Sequence, residues 1–331
     1  MKVGVLQFFG WADRAIPLES VYARALERFG IMDRSGYDAV WLAEHHFSSF
    51  SVCPSVHMMA TMAAAQTEKM RIGTAVSLAP FYHPLRLAEE VALLDVLSGG
   101  RVNWGAGRGF AVGEFSAFGV PVAESGPRFH EAVEIVLKAW SEDRVTHQGQ
   151  FFDFQNVELL PKPMQKPHPP VWMAATSEGA IDWAASKGFS ILMDPHCTHA
   201  ELASKRKRYG EQMRAAGFDD APREIPMARL LAVSPSAERA EAIARRGAEW
   251  MLGSYIGPQH NPAHTPSPSA VAATDPVARY VNDVIIHGTP DQVADRITEL
   301  KETAQLNYLL CAPLSQDSFT LLTDEILPAI G

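Results

Sequence analysis

Short unbroken apolar runs alternate along the chain with longer stretches whose apolar positions recur every three or four residues. The short runs in the first half are KVGVLQFF (2–9), DAVWLAE (38–44), RIGTAVSL (71–78) and VNWGAG (102–107). PVWMAAT, FSILMD, PMARLLAV and LNYLLCAP repeat the pattern in the second half. Runs of this length and continuity predict strands buried on both faces. The stretches between them predict helices. In PLRLAEEVALLDVLSGG, for example, Leu87, Val91, Leu94 and Val96–Leu97 mark one face, and Gly99–Gly100 ends it. Strand and helix alternate about eight times, which predicts a closed (β/α)8 TIM barrel spanning 1–331 as a single domain. The competing architecture is an open doubly wound sheet. The barrel is favoured because Glu44, Ser77, Arg108, Thr176 and Asp194 fall at strand C-terminal ends, the face on which such a barrel builds its active site.

Two stretches break the rhythm, one after the fourth strand and one after the seventh. Residues 147–170 carry five prolines and read as an excursion between the two halves. Residues 257–276 are rich in Pro, Ala, Ser and Thr and poor in large apolar side chains, the composition of a disordered segment or a mobile lid.

Charge narrows the function. With 29 basic against 38 acidic side chains and a formal charge of -9, the chain has no basic stripe with which to neutralise nucleic-acid phosphates. The one dense basic run, KRKRY (205–209), reads as a solvated helix face. The N-terminal residues do not resemble a signal peptide, and no apolar stretch approaches the roughly 20 residues of a membrane span. Cys53, Cys197 and Cys311 are odd in number and widely spaced, which suits a reducing compartment. A cytoplasmic protein with neither a nucleic-acid nor a membrane partner is expected.

The stretch VWLAEHHFSSF (40–50) sets Glu44, His45 and His46 at the mouth of an apolar strand. Three readings fit: core histidines, a metal pair, or a proton-transfer group whose pKa lies near neutrality. Metal is set aside because neighbouring strand residues point to opposite faces and no HxxxH completes a site. GAGRG (105–109) lacks the GxGxxG spacing of a dinucleotide fingerprint. Its glycines admit close approach of the backbone to a ligand, and Arg108 offers a forked contact to phosphate; a tight turn with a solvated arginine is the alternative. After the strand ending at Ala175, Thr176–Ser177 precede a helical run, where hydroxyls and free amides form either an anion site or an ordinary N-cap.

Taken together, WLAEHHF, RIGTAVSLAPFYHPLRLAEEVALLDVLSGGR, GAGRGF, VWMAATSEGAIDWAA and HGTPDQV resemble, in order, the bacterial luciferase-like flavin monooxygenase family. That resemblance implies a (β/α)8 fold, reduced FMN as cofactor, and activation of dioxygen as a flavin hydroperoxide. It implies that His45 is the catalytic histidine, flanked by Glu44 and His46. Ala75–Val76 matches the segment beneath the flavin ring, where relatives often have a non-proline cis peptide. Gly107 matches a position near the flavin at the next strand end, Arg108 matches a phosphate-binding arginine, and Thr176 and Ser177, with Glu178 beside them, match the phosphate-binding turn. Gly107 and Thr176 depart from the luciferase chain, which has cysteine and glutamate there, so light emission is not implied. A small organic substrate, a flavin reductase supplying reduced FMN, and a homodimer formed through helices two and three are implied partners. Ala60 and Ala63–Ala65 in VHMMATMAAAQ would permit the close helix approach. Phe8, Trp11, Phe47 and Phe110 are candidate pocket-lining residues for an apolar substrate. Two alternatives stay open: hydride transfer from a reduced deazaflavin, and flavin binding without catalysis.

Overall fold

The computed structural model describes residues 1–219, 223–256 and 268–330. Its strands are β1 (Lys2–Gln7), β2 (Ala39–Leu42), β3 (Arg71–Thr74), β4 (Ser77–Leu78), β5 (Val102–Gly107), β6 (Val145–Gln148), β7 (Asp153–Val157), β8 (Val171–Ala174), β9 (Ser190–Leu192), β10 (Pro226–Val233), β11 (Ile286–Gly288) and β12 (Tyr308–Pro313). All but β6 and β7 form one parallel sheet, ordered β11-β10-β12-β1-β2-β3-β5-β8-β9 with β4 against β5. The sheet curls. Just past β9, Met193 pairs with Met227 of β10; its amide donates to Pro226 O at 2.9 Å, and its carbonyl accepts from Ala228 N at 3.0 Å.

Alternate residues of each strand divide between two hydrophobic clusters, as a period of two requires. Val3, Val5, Val40, Leu42, Leu231 and Leu309 pack outward among the helices. Leu6, Trp41, Trp172, Leu192, Leu230 and Leu310 fill the interior of the curl. Trp41 fits because residue 73 is glycine: a Cβ there would lie 2.3 Å from the indole. Polar pins close the end from which the strands start. Trp41 Nε1 donates to Tyr308 Oη at 3.0 Å, and Trp172 Nε1 to Glu224 O at 3.0 Å. Asp33 accepts from the amides of Glu68, Lys69 and Met70, and Arg101 donates to Ala64, Thr67, Met70 and Ser98.

The structure corrects several details of the sequence reading. The excursion after the fourth apolar run contains the antiparallel hairpin β6–β7. The helix that follows the seventh run, Ala237–Met251, does not join the outer layer. Its apolar stripe of Ile243, Ala244, Ala248 and Met251 belongs to the interior cluster, so it lies across part of the mouth. The outer position goes instead to helix Pro290–Thr303, through Val293, Ile297 and Leu300. Within the expected lid, Pro268–Ala272 and Pro276–Arg279 are helical, and 257–267 lie outside the described residues. KRKRY is not a solvated face: Lys205 pairs with Asp194 at 3.1 Å, Arg206 and Tyr209 are buried, and Arg208 binds Asp182.

Candidate active site

β2 ends at Leu42, and Ala43 and Glu44 continue inward from it. Glu44 is only 2% exposed, a burial that a carboxylate tolerates when every oxygen has a partner. Its Oε2 accepts from the Leu78 amide at 3.0 Å; its Oε1 accepts from Tyr82 Oη at 2.9 Å and lies 3.0 Å from His46 Nε2. Glu44 therefore ties β4 and the following turn to the end of β2. It also holds neighbouring groups protonated. Burial first, then its charge, pushes the Cys53 thiol up to about 12 and raises the Tyr82 phenol well above its usual value.

His45 and His46 diverge, as adjacent residues must. The His46 amide donates to Glu114 Oε1 at 2.9 Å, and its ring meets Phe118 edge-on at 4.7 Å. His45 Nδ1 lies 3.8 Å from Glu114 Oε1, with its ring stacked near Phe8 at 6.4 Å and edge-on to Phe50 at 5.2 Å. Two buried carboxylates and two imidazoles thus form one acid–base cluster. Sequence reasoning missed Glu114. It sits in helix Val112–Ala117, and its only signal is a lone acid within VGEFSAF, just past GAGRGF.

Beside this cluster the strand ends carry almost no side chain. Ala75–Val76 is a non-proline cis peptide between β3 and β4, the geometry the resemblance implied. Its Ala75 amide donates to Leu42 O at 2.7 Å, which sets it next to Glu44. Gly107 at the end of β5 is required by packing: a Cβ there would sit 2.3 Å from Val76 Cγ2 and 3.4 Å from Ala174 Cβ. Ala43, Ala75, Gly107 and Ala174 thus set a row of small residues, a shelf, across the ends of β2, β3, β5 and β8, with the Val76 side chain packed on Gly107. From the outer side, His57 Nε2 meets Ser77 Oγ at 3.0 Å while its Nδ1 meets Glu90 at 2.9 Å.

At the far edge of the shelf, Arg108 is exposed, and no carboxylate pairs with it among the described residues. Thr176 and Ser177 are exposed after β8, the strand that pairs with β5. Ser177 Oγ is already used as an N-cap, accepting from Ala180 N at 3.3 Å in helix Glu178–Ser186. Glu178 turns its carboxylate to Arg208, 3.3 Å away, so only its amide is available to a ligand. His130, also unforeseen, stacks on Trp183 at 4.1 Å; burial, then the charges of Lys187 and Arg108, holds its imidazole below the usual value. This edge is positive, whereas the histidine edge is rich in carboxylates. Asp194 stands apart: beside Lys205 and His196 its carboxyl is held down to about 2 in spite of burial. Among the described residues no group of three or more His, Cys, Asp or Glu could hold a metal, and no helix is long and apolar enough to cross a membrane.

The sequence profile of the family described as luciferase-like monooxygenase matches residues 1–305. The chain belongs to that family. A flavin-dependent trigonelline monooxygenase, oxygenase component, from Acinetobacter baylyi is 30% identical over 68% of this chain and 63% of its own. The alkanal monooxygenase alpha chain of the Kryptophanaron alfredi symbiont is 28% identical over 67% of this chain and 62% of its own. The chain thus spans a little under two thirds of these two relatives. Among solved structures, the monooxygenase RslO1 from Streptomyces bottropensis superimposes with a TM-score of 0.84 at 25% identity, covering 100% of both chains. Luciferase-like monooxygenases thus share the curled parallel sheet described above.

Proposed function

We infer that the protein is an FMN-dependent monooxygenase, a single (β/α)8 domain whose eight barrel strands are β1, β2, β3–β4, β5, β8, β9, β10 and β12. The shelf carries this reading. A flat ring system needs a surface of small side chains, and Ala75, Ala174 and the Val76 side chain packed on Gly107 support one between the His45–Glu114 cluster and Arg108. The residues fit the cofactor in order: Ala75 and Val76 under the ring, Arg108 and the amides of Thr176, Ser177 and Glu178 toward the phosphate. Reduced FMN, when bound, supplies the two electrons by which one oxygen atom enters the substrate and the other leaves as water. His45 holds or moves a proton at Nδ1 or Nε2 beside the ring, and Glu114 steadies the imidazolium. Phe8 and Phe50 keep water from that imidazole. His46 and Glu44 are positioning residues, tied to each other and to β4.

The description of the trigonelline relative as an oxygenase component supports a separate reductase as the source of reduced FMN. Three buried free thiols support a cytoplasmic location. Exposed Met58 and Met62 on helix Val56–Gln66, with Leu93, Val96 and Leu97 on helix Pro84–Leu97, support a homodimer through these two helices. The test is to mix the protein with reduced FMN and oxygen and score oxygenated product against hydrogen peroxide over a panel of small organic substrates. Hydride transfer from a reduced deazaflavin without oxygen uptake would overturn the assignment.

A further inference from the structure

Helix Ala237–Met251, the start of helix Leu18–Ser35, and the ends of β1 and β12 enclose a cavity of about 360 Å3. That volume is within the roughly 300–1,000 Å3 of small-molecule pockets. Part of its wall is apolar, from Val21, Leu230, Ile243 and Met251. Three arginines, Arg24, Arg28 and Arg246, complete the lining with no Asp or Glu among them. In a chain of formal charge -9 this concentration is local and runs against the overall balance. Arg24 and Arg246 are exposed and carry no ion pair among the described residues. Arg28 is held in place, donating to Gln316 Oε1 at 3.0 and 2.8 Å with its guanidinium 4.7 Å from the Phe319 ring. Burial, then the charge of Arg24, pushes Arg28 down to about 10, so two like charges crowd one rim and an anion would relieve them.

The cavity lies one aromatic layer from the acid–base cluster. Phe8 and Trp250 line it. Phe8 stacks near His45, and Trp250 stacks on Phe50 at 5.0 Å, whose edge meets His45. An occupant's apolar end would lie one aromatic layer from the imidazole, with its charge at the arginines.

We propose that this cavity is the substrate pocket and that the substrate class is an organic anion with an apolar body, a carboxylate or sulfonate, gripped by Arg24, Arg28 and Arg246 and directed tail-first toward Phe8 and Trp250. The word substrate rests on the monooxygenase reading above; the binding does not. The test uses flavin-free protein, octanoate, and 1-octanol as its neutral counterpart of equal chain length, with binding followed by calorimetry and tryptophan fluorescence. Octanoate binds about 10-fold or more tighter than octanol, and the preference shrinks as salt is raised. Arg24→Ala and Arg246→Ala each weaken octanoate roughly 10-fold and leave octanol unchanged. Trp250→Phe keeps the binding and removes most of the fluorescence change, which locates the occupant. Equal affinity for acid and alcohol, indifference of both arginine variants, or a fluorescence response that survives in Trp250→Phe overturns the proposal. Because no flavin is present, these outcomes leave the FMN assignment standing. Failure of reduced FMN and oxygen to oxygenate a bound acid would count against that assignment while the pocket remains.

Discussion

Replacing Glu44 separates holding from proton carrying. In the folded protein this carboxylate accepts from the Leu78 amide and Tyr82 Oη and is within 3.0 Å of His46 Nε2, all at 2% exposure. Glu44→Ala strands the first two donors. A buried donor without an acceptor costs about 1–3 kcal/mol, and the His46 ring, 10% exposed, recovers part of its loss from solvent. Glu44→Ala is therefore expected to destabilise by about 2–5 kcal/mol. Glu44→Gln keeps the shape: its amide oxygen can accept from Leu78, while its NH2 donates to Tyr82 Oη and to His46 in the matching tautomer. Its expected cost is about 1 kcal/mol or less. Urea unfolding followed by tryptophan fluorescence, with linear extrapolation, measures both. A Glu44→Ala protein within about 1 kcal/mol of the parent would refute the reasoning, since the three contacts would then carry no weight. So would a Glu44→Gln protein as damaged as the alanine variant, because charge rather than acceptor geometry would be what matters.

His45→Ala should retain fold and flavin affinity while product yield drops about 10²- to 10⁴-fold and hydrogen peroxide rises; unfolding of the variant would make His45 structural. Arg108→Ala should weaken FMN binding about 10- to 100-fold, measured by fluorescence quenching, and unchanged affinity would remove it from the phosphate site. His199 is held neutral down to about 3 by burial and by Arg229 and Arg296. Its folded pKa lies below the unfolded 6.5, so the unfolded chain takes up the extra proton first. Stability should fall by up to about 1.4 kcal/mol per pH unit as pH drops from 6.5 toward 3, and His199→Gln should flatten that slope. A parent and variant with parallel pH profiles would contradict it. Light scattering at micromolar concentration should give a dimer, and Leu97→Glu should give a monomer.

The main strands of the curled sheet were legible because each lies in an apolar run, and their alternation with helices leaves few topologies. The polar residues at their ends were legible for the same reason: Glu44 and Arg108 stand out against an apolar background. The position of helix Ala237–Met251 was not legible because periodicity reveals a stripe but not which hydrophobic surface the stripe meets. Ile243 and Met251 would serve equally well against the inside or the outside of the curl. The β6–β7 hairpin was hidden because its strands are mostly solvent-facing and lack apolar continuity. Glu114 and His130 were invisible individually. A single acid or imidazole on a helix reads as surface until the fold brings it against His45 or Trp183.

Helix Ala237–Met251 closing one side of the mouth divides the molecule by inheritance as well as by space. The shelf comes from four separate strand ends dispersed between residues 43 and 174, so altering any of them disturbs the sheet itself. The plug, by contrast, is one contiguous stretch between β10 and β11. Exchanging that stretch alone would set a new wall near Phe8 while the four strand ends kept their sequence. The order in which the chain visits its own sheet thus keeps the two sides of the mouth on separate lengths of sequence.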